Sequence, residues 1–387
     1  MDQQKGASML EAVRELSPMI RGLATEAETG RRLPSELVAA LREREFFGLA
    51  FPRALGGLEL DPVTQLDIIE ALGYEDGSTG WCVMIGCDTG YLTGWLADEV
   101  STQLFGAATV GPSALVVAPG GQGQVEDVGY RLSGRWTFGS GREHCAHVGV
   151  GFLAFNLDGS MRMLAEGQPD WRIAVIPVES TATIDTWTTT GLNGTGSHDF
   201  AVDGVFVPTE RTFSLFEAPQ RSEALYRHAT FFISKLGAVP LGIARRAIDE
   251  LATLAAGKVL MPSMTLLCDD VQLQLDVARA TALVASARSW LREVTQEMWA
   301  VVQTGAAPSL DLRGRYRLAI SHAGLSAKEA VEIVYAAAGG ASVYRTSTLE
   351  RCLRDVTTAA QHILVQRRNQ PPYARAILGM EPLAPLV

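Results

Sequence analysis

Hydrophobic side chains in the first 106 residues recur every three or four positions, which is the spacing of helices with one buried face. The positions that show it best are Leu37, Val38 and Leu41 in one segment and Leu66, Ile69 and Gly73 in another. Pro34 and Asp61-Pro62 precede these segments, and such residues begin helices. The pattern predicts an N-terminal helical domain over residues 1–108.

The hydrophobic period changes to two from about Ser113, which indicates strands with one buried face. In one segment, apolar side chains alternate with polar ones at Tyr130, Leu132, Trp136 and Phe138. Further strands are predicted at Leu115–Ala118, Val148–Phe155, Ile173–Val178 and Phe200–Val207. Gly120-Gly121 is predicted to form a turn. Since no helix separates the strands, residues 109–212 are expected to form an antiparallel barrel or sandwich.

Helical spacing returns after about Phe213 and continues to the end of the sequence. Four segments rich in alanine and leucine carry it, at Ala244–Ala255, Val271–Val302, Leu312–Ala338 and Thr348–Arg368. Four helices in succession predict a C-terminal four-helix bundle over residues 213–387. The expected fold class is therefore α+β, with helical, antiparallel β and bundle domains in that order.

Composition and charge exclude several classes of function. Of the 387 residues, 47% are hydrophobic and 20% are charged, which is typical of a soluble globular protein. The formal charge of −10 opposes binding to nucleic acid, and no apolar run reaches the roughly 18 residues of a membrane span. Five scattered cysteines favour reduced thiols and a cytoplasmic location.

A short segment, Glu143 to His147, contains side chains that can bind metals. His144 and His147 would point to opposite faces of a strand, so a shared ion would need a local bend. We therefore predict no metal site.

Five motifs follow one another along the chain. They are Phe47-Gly48-Leu49 with Pro52 and Gly56-Gly57; Gly77-Ser78-Thr79-Gly80-Trp81; Ser133 to Gly141; Gly191 to Ser197 followed by Val205-Phe206-Val207-Pro208; and Leu349-Glu350-Arg351 with Arg354-Asp355. In this order, and with the domain order above, they resemble the acyl-CoA dehydrogenase superfamily over nearly the whole chain. The resemblance implies a flavin site between the β domain and the bundle.

Dehydrogenases of this superfamily remove a proton α to a thioester carbonyl, which requires a carboxylate base over the flavin. The resemblance puts that base eight residues beyond Asp355, where this chain has Ile363. A base in another bundle helix stays open, since Glu250 and Glu293 occur there. His362 immediately precedes Ile363, on the same face of the predicted helix as Asp355.

His362 and the aromatic run Trp136–Gly141 resemble the two-component flavin-dependent monooxygenase branch. Its members take reduced FMN or FAD from a separate NAD(P)H-dependent reductase, form a C4a-hydroperoxyflavin with O2, and oxygenate small aromatics, amines or sulfur heterocycles. The chain has no G-x-G-x-x-G after a strand and no G-K-[ST] loop, so we expect no nicotinamide site within it.

Two side chains are predicted to be catalytic. His362 has an ordinary pKa of about 6.5 and is expected to accept a substrate proton. Ser140 is expected to offer its hydroxyl to flavin N5 and so to discourage loss of hydrogen peroxide. Flavin contacts are predicted for Trp81, Val116, Val117, Trp136, Phe138, Gly139, Ser140, Gly141, Gly340, Ala341, His362 and Ile363.

Several alternatives stay open. Trp136 and Phe138 also fit a plain hydrophobic core, while Arg351 and Arg354 could form a solvated face or pair with Asp355 and bind phosphate. For the whole chain, the alternatives are an acyl-thioester dehydrogenase with a displaced base and a non-catalytic assembly protein that kept the fold.

Departures from the family pattern bear on substrate and cofactor. Phenol-hydroxylating relatives carry a histidine where this chain has Cys87-Asp88, and some carry an aspartate where it has Gln366. An amine, another heteroatom or an activated carbon is therefore favoured over a phenol. The residues that hold an FAD adenine in the family are not evident near Gly257-Lys258, which favours FMN. The resemblance also implies a homotetramer.

Overall fold

The structure is a computed structural model that describes residues 2–106, 111–164 and 167–380. Its N-terminal helices are α1 (Asp2–Gly30), α2 (Ser35–Glu43), α3 (Pro62–Glu75), α4 (Gly77–Leu92) and α5 (Asp98–Phe105). The predicted start of α3 is confirmed, because the Asp61 carboxylate accepts hydrogen bonds from the amides of Val63 and Thr64 while Pro62 occupies the first helical position.

Helix α4 is buried on almost all sides. A helix that is apolar all round must be surrounded by protein, and α4 contacts α3, the first strand of the sheet and the C-terminal helices. A Cβ added to Gly80 would lie 2.7 Å from the backbone nitrogen of Gly73, so α3 and α4 can approach this closely only with glycine there. Trp81 follows Gly80 in this helix and is itself buried.

The middle of the chain forms a seven-stranded sheet. Its strands are β1 (Ala114–Glu126), β2 (Gly129–Trp136), β3 (His147–Phe155), β4 (Trp171–Pro177), β5 (Ala182–Ile184), β6 (Asp199–Pro208) and β7 (Thr212–Phe213), in the order β5-β6-β2-β1-β3-β4-β7. The prediction of an antiparallel domain is wrong for one pair, since β1 and β3 run parallel. The reason is that residues 137–146 carry the chain from β2, on one side of β1, to its other side.

Gly120-Gly121 is not the predicted turn but lies inside β1. The pairing of β1 with β3 shifts register here, as at a β-bulge. A Cβ added to Gly121 would lie 2.3 Å from the indole of Trp136, which fills the space that a side chain would need. The two glycines therefore make room for a core tryptophan.

The C-terminal helices are α6 (Ala238–Gly257), α7 (Val271–Gln303), α8 (Leu310–Ala338), α9 (Thr348–Ala359) and α10 (Pro371–Ile377). All four helices predicted in this part of the chain are present, but the prediction that the last one continues to Arg368 is wrong. The chain leaves the helix after Ala359, and Val365 is buried against Gly324 of α8. A Cβ added to Gly324 would lie only 2.4 Å from the side chain of Val365. His362 consequently lies in a turn and not on the helical face of Asp355.

The predicted domain boundary at 108/109 lies outside the described residues, and the one at 212/213 falls within β7. In the described ranges, no helix combines the length and the apolar character needed to cross a membrane.

Candidate active site

One indole brings the two predicted catalytic residues together. Trp81, in the first turns of α4, donates its Nε1–H to Ser140 Oγ at 3.3 Å. The same indole lies edge-on to the His362 imidazole, with ring centroids 5.8 Å apart. Residues 81, 140 and 362 come from the helical N-terminal region, the sheet and the bundle, so the site forms where the three meet.

Ser140 lies in a tight loop that follows β2. Phe138 and Gly141 have positive φ angles of 63° and 69°, and the loop turns sharply around the serine. The amides of Gly139 and Gly141 donate to the carbonyls of His198 and Thr195 at 3.0 and 2.8 Å. The serine is thus fixed by the segment that contains Gly191–Ser197.

A chain of hydroxyl groups extends from Ser140 into that segment. Ser140 Oγ lies 2.7 Å from Ser197 Oγ, which lies 2.7 Å from Thr195 Oγ1. Thr195 Oγ1 in turn donates to the carbonyl of Leu192 at 2.7 Å. Sequence analysis identified this segment only as a family motif and assigned no role to its hydroxyls. The signal was present as Thr195-Gly196-Ser197, small hydroxyl residues around a glycine.

His362 differs from the expected base. Its Nδ1 accepts the backbone N–H of Leu364 at 3.3 Å, so in the neutral ring the proton resides on Nε2. Burial lowers the pKa of His362 to about 4, well below the ordinary value of about 6.5 on which the prediction of a base depends. At neutral pH the imidazole is therefore an uncharged hydrogen-bond donor and a weak base.

The aromatic residues beside Ser140 have different environments. Trp136 is only 1% exposed; it stacks on Phe200 at 5.7 Å and donates to the Gly151 carbonyl at 2.7 Å. Its indole belongs to the core of the sheet, which is the alternative to a flavin contact that the sequence left open. Phe138 is 66% exposed, just beyond the end of the strand, and lies edge-on to Trp187 at 6.1 Å. The alternation of buried and exposed side chains that was predicted to reach Phe138 thus ends at Trp136.

The other predicted flavin contacts are dispersed. Val116 and Val117 are partly buried in β1, and Ile363 is 63% exposed next to His362. Gly340 is exposed beyond α8, while Ala341 lines a separate cavity of about 290 Å³ with Glu250 and other residues. The structure therefore connects the loop of Ser140 and the turn of His362 through Trp81. The residues that line the cavity at Ala341 include none of these three.

The glutamates considered as displaced bases are not at this site. Glu250 forms an ion pair with Arg246 at 2.5 Å, and Glu293 is exposed on α7. Burial is the cause of the low pKa of His362, and no carboxylate among the described residues contributes to the shift. Within the same residues, no group of three potential metal ligands occurs, and His144 instead accepts the backbone N–H of Leu33 at 3.2 Å.

The arginines of the C-terminal motif form ion pairs. Arg354 and Arg351 bind Glu28 of α1 at 2.6 and 3.1 Å, so neither of them forms a merely solvated face. Asp355 is buried and its Oδ1 accepts the amide of Leu192 at 2.6 Å. This cluster fastens α9 to α1 and to the segment that carries the hydroxyl chain.

Asp355 should make folding stability depend on pH. Burial, reinforced by the charge of Asp76, raises the pKa of Asp355 to about 7. Between about pH 4 and 7 the folded protein therefore holds a proton that the unfolded chain has released, and stability falls as pH rises. We expect Asp355→Asn to remove roughly 2–4 kcal/mol of this decline, measured by urea unfolding at pH 5 and pH 8. The exposed Asp203→Asn is the control; equal slopes in all three proteins would contradict the expectation.

Comparison with known proteins agrees with this architecture. Residues 7–99 match the model for the acyl-CoA dehydrogenase N-terminal domain, and residues 234–367 match that for the C-terminal domain. Indole-3-acetate monooxygenase of Pseudomonas putida is 30% identical over 97% of this chain and 94% of its own length. The flavin-dependent monooxygenase oxygenase subunit HsaA of Mycobacterium tuberculosis is 27% identical over 98% of this chain and 96% of its own. The chain belongs to the acyl-CoA dehydrogenase superfamily, in its flavin-dependent monooxygenase branch.

Solved structures of this superfamily share the fold. The crystal structure of the M. tuberculosis HsaA monooxygenase superposes with a TM-score of 0.89 at 25% identity, covering 99% of this chain and all of that one. XiaF from Streptomyces, solved with FADH2 and glycerol, has a TM-score of 0.92 at 23% identity over 99% and 98% of the two chains. The expected fold class and family are confirmed.

Proposed function

We propose that the protein is the oxygenase component of a two-component monooxygenase. It takes reduced FMN or FAD and inserts one atom of O2 into a small organic substrate, while the other atom leaves as water and the flavin becomes oxidised. The observation that carries this proposal is the convergence of Ser140 and His362 on Trp81, where burial sets the pKa of His362 and no carboxylate among the described residues contributes to it. Full-length similarity to oxygenases supports it.

The described side chains fit a flavin at this site. Phe138, two residues before Ser140, and Ile363, next to His362, are both large, apolar and mostly exposed. Exposed apolar side chains at a junction of domains are suited to covering a planar ring. When bound, reduced flavin would supply the two electrons that activate O2. Ser140 would hold the flavin at N5, while Trp81 would hold Ser140 and exclude water.

We further propose an electron-rich aromatic substrate, such as an indole, over a phenol. A phenol needs a base with a pKa near neutrality to become a strong nucleophile, whereas His362 has a pKa of about 4. Asp88, near where phenol-hydroxylating relatives carry a histidine, is buried in an ion pair with Lys235 at 2.5 Å. An indole ring needs no deprotonation, and a neutral His362 can donate a hydrogen bond. The indole-3-acetate relative supports this choice.

The test is oxygen incorporation in a reconstituted reaction. Reduced FMN or FADH2, ¹⁸O2 and either indole-3-acetate or p-cresol are mixed with the protein, and products are analysed by mass spectrometry together with hydrogen peroxide. We expect one ¹⁸O atom in the indole product and mainly peroxide with the phenol. Recovery of all O2 as peroxide with both substrates would contradict the proposal.

The remaining alternative is oxidation of an acyl thioester. It predicts that an acyl-CoA added without oxygen bleaches the bound oxidised flavin. This outcome is unexpected, because no carboxylate among the residues that the structure describes contributes to the pKa of His362. Butyryl-CoA and octanoyl-CoA are suitable probes, and bleaching by either would replace the monooxygenase proposal.

A separate NAD(P)H-dependent flavin reductase completes the proposed system. This partner is supported by the words "oxygenase subunit" and "oxygenase component" in the names of relatives. We also propose a homotetramer in which exposed Gly340 and partly buried Ala341 contact the flavin of a second copy, since Ala341 lines a cavity whose lining residues do not include Ser140. The free cysteines support a cytoplasmic location.

A further inference from the structure

The hydroxyl chain beside the site has a fixed direction. It joins Ser140, Ser197 and Thr195 by two contacts of 2.7 Å, and a third contact of 2.7 Å joins Thr195 to the carbonyl of Leu192. Each hydroxyl has one hydrogen, so three hydrogens serve three contacts. The carbonyl can only accept, which fixes the hydrogen of Thr195 on Leu192.

The remaining assignments follow in sequence. Because the Thr195 hydrogen is committed, Ser197 must donate to Thr195, and Ser140 must then donate to Ser197. Trp81 has only an N–H to offer and donates to Ser140 at 3.3 Å. Ser140 Oγ has therefore used its hydrogen and one lone pair, and the single function left to it is that of an acceptor.

The Leu192 carbonyl, at which the chain of hydroxyl groups ends, is held in place by further hydrogen bonds. The Leu192 carbonyl also accepts the indole N–H of Trp187 at 3.0 Å and the amide of Thr195 at 3.1 Å. The Leu192 amide donates to buried Asp355 at 2.6 Å. Ser197 and Thr195 are 2% and 1% exposed, so water does not compete for their hydrogens.

We propose that Thr195 and Ser197 are positioning residues that fix Ser140 as a hydrogen-bond acceptor and thereby select reduced over oxidised flavin. This inference rests on the proposed function, in which Ser140 contacts flavin N5. Reduced flavin carries a hydrogen on N5 and can donate to Ser140. Oxidised flavin has only a lone pair there, so two acceptors would face each other. This preference suits an oxygenase that receives reduced flavin from a separate reductase, because the oxidised flavin formed in the reaction then leaves the site.

The test measures the dissociation constants of reduced and oxidised FMN, the first under anaerobic conditions, and takes their ratio. In Ser197→Ala the hydrogen of Ser140 is free to turn toward oxidised flavin. We expect oxidised FMN to bind about fivefold more tightly (~1 kcal/mol for one hydrogen bond), with little change for reduced FMN. The midpoint potential of bound FMN should then fall by about 20 mV, at about 30 mV per tenfold change for two electrons.

Thr195→Val tests the direction of the chain without removing Ser197. Ser197 can then donate to Ser140, and the preference for reduced FMN should fall by a similar factor, while Thr195→Ser should keep the wild-type ratio. Thr295→Val is the matched control, because Thr295 is also buried and donates to a carbonyl, that of Leu291, at 2.7 Å. It should leave the ratio unchanged.

The outcomes separate this inference from the proposed function. If the wild-type protein prefers reduced FMN and neither Ser197→Ala nor Thr195→Val changes the ratio, the positioning role is wrong and the oxygenase function stands. A wild-type protein that oxygenates indoles without preferring reduced FMN also overturns the inference alone. Failure to bind either form of FMN or FAD overturns both.

Discussion

Replacing His362 with alanine is expected to lower the yield of oxygenated product per O2 consumed by roughly tenfold, with hydrogen peroxide rising in proportion. The neutral imidazole presents its Nε2–H, because Nδ1 is occupied by the Leu364 amide. Loss of one well-placed donor to the substrate or to the oxygen being transferred is worth roughly 1.4 kcal/mol, hence the factor of ten. Flavin binding should change little, since Trp81 and Ser140 remain.

The pH dependence distinguishes a donor from a base. With a pKa of about 4, His362 is neutral throughout the range from pH 5.5 to 8. The part of the product yield that depends on His362, taken as wild type minus His362→Ala, should therefore be constant over that range. A general base with the ordinary pKa of about 6.5 would instead lose its contribution progressively below pH 6.5. Product and peroxide are measured at each pH with indole-3-acetate as substrate.

The chain offers a matched control for this experiment. His322 on α8 lies edge-on to Trp290 at 5.4 Å and 62°, close to the 5.8 Å and 62° of His362 and Trp81. His322→Ala should keep the wild-type yield. A yield that drops equally in both variants would show a general effect on the bundle, and a yield unchanged by His362→Ala would exclude His362 from catalysis.

Local sequence patterns predicted helices and strands well where apolar residues form a continuous run or recur at regular helical spacing. The bounds predicted for β3 and for α7 agree with the structure to within one residue. The pattern failed where tertiary packing overrides it. Gly120-Gly121 has the composition of a turn but lies in a strand, because Trp136 needs the space above it. Likewise α9 stops at Ala359, because Val365 packs on Gly324 of another helix.

The site was predictable only in part, for a related reason. The resemblance pointed to Ser140 and His362, and the structure brings both to Trp81. The direction of the Ser140 hydrogen depends on Ser197, 57 residues away in the chain, and the low pKa of His362 depends on burial. Neither the direction of this hydrogen nor the pKa can be predicted from neighbouring residues in the sequence, because both depend on contacts that exist only in the folded chain.

A second large effect is expected from the buried ion pair of Lys235 with Asp88 of α4. Lys235 is fully buried; its Nζ lies 2.5 Å from Asp88, 3.1 Å from Gln65 Oε1 and 4.8 Å above the ring of Tyr91. Burial raises the pKa of Asp88 to about 7, and Lys235 opposes this rise. Lys235→Met should reduce the free energy of unfolding by about 3–5 kcal/mol at pH 8, because it leaves a buried carboxylate without its counter-charge.

This loss should become smaller in acid. Without Lys235 the pKa of folded Asp88 rises further, so the folded variant takes up a proton that the unfolded chain does not hold. Protonation relieves the buried charge, and the deficit of Lys235→Met should therefore shrink from pH 8 to pH 6. Urea unfolding at both pH values measures it, with the exposed ion pair of Lys328 and Glu332 as a control in which Lys328→Met costs about 1 kcal/mol or less.

The double variant Asp88→Leu/Lys235→Met tests whether the ion pair itself adds to the free energy of unfolding. The alternative is that the fold requires only that neither charge is buried without the other. Removing both charges leaves an apolar pair of similar volume in a dry interior, which is often neutral or stabilising compared with a buried ion pair. We expect it to recover most of the stability lost in Lys235→Met and to lose the pH dependence. If the double variant were as unstable as the single one, the loss would come from packing around Gln65 and Tyr91 and not from an uncompensated charge. In that event Lys235 would stabilise the fold by filling space, and its ion pair with Asp88 would contribute little.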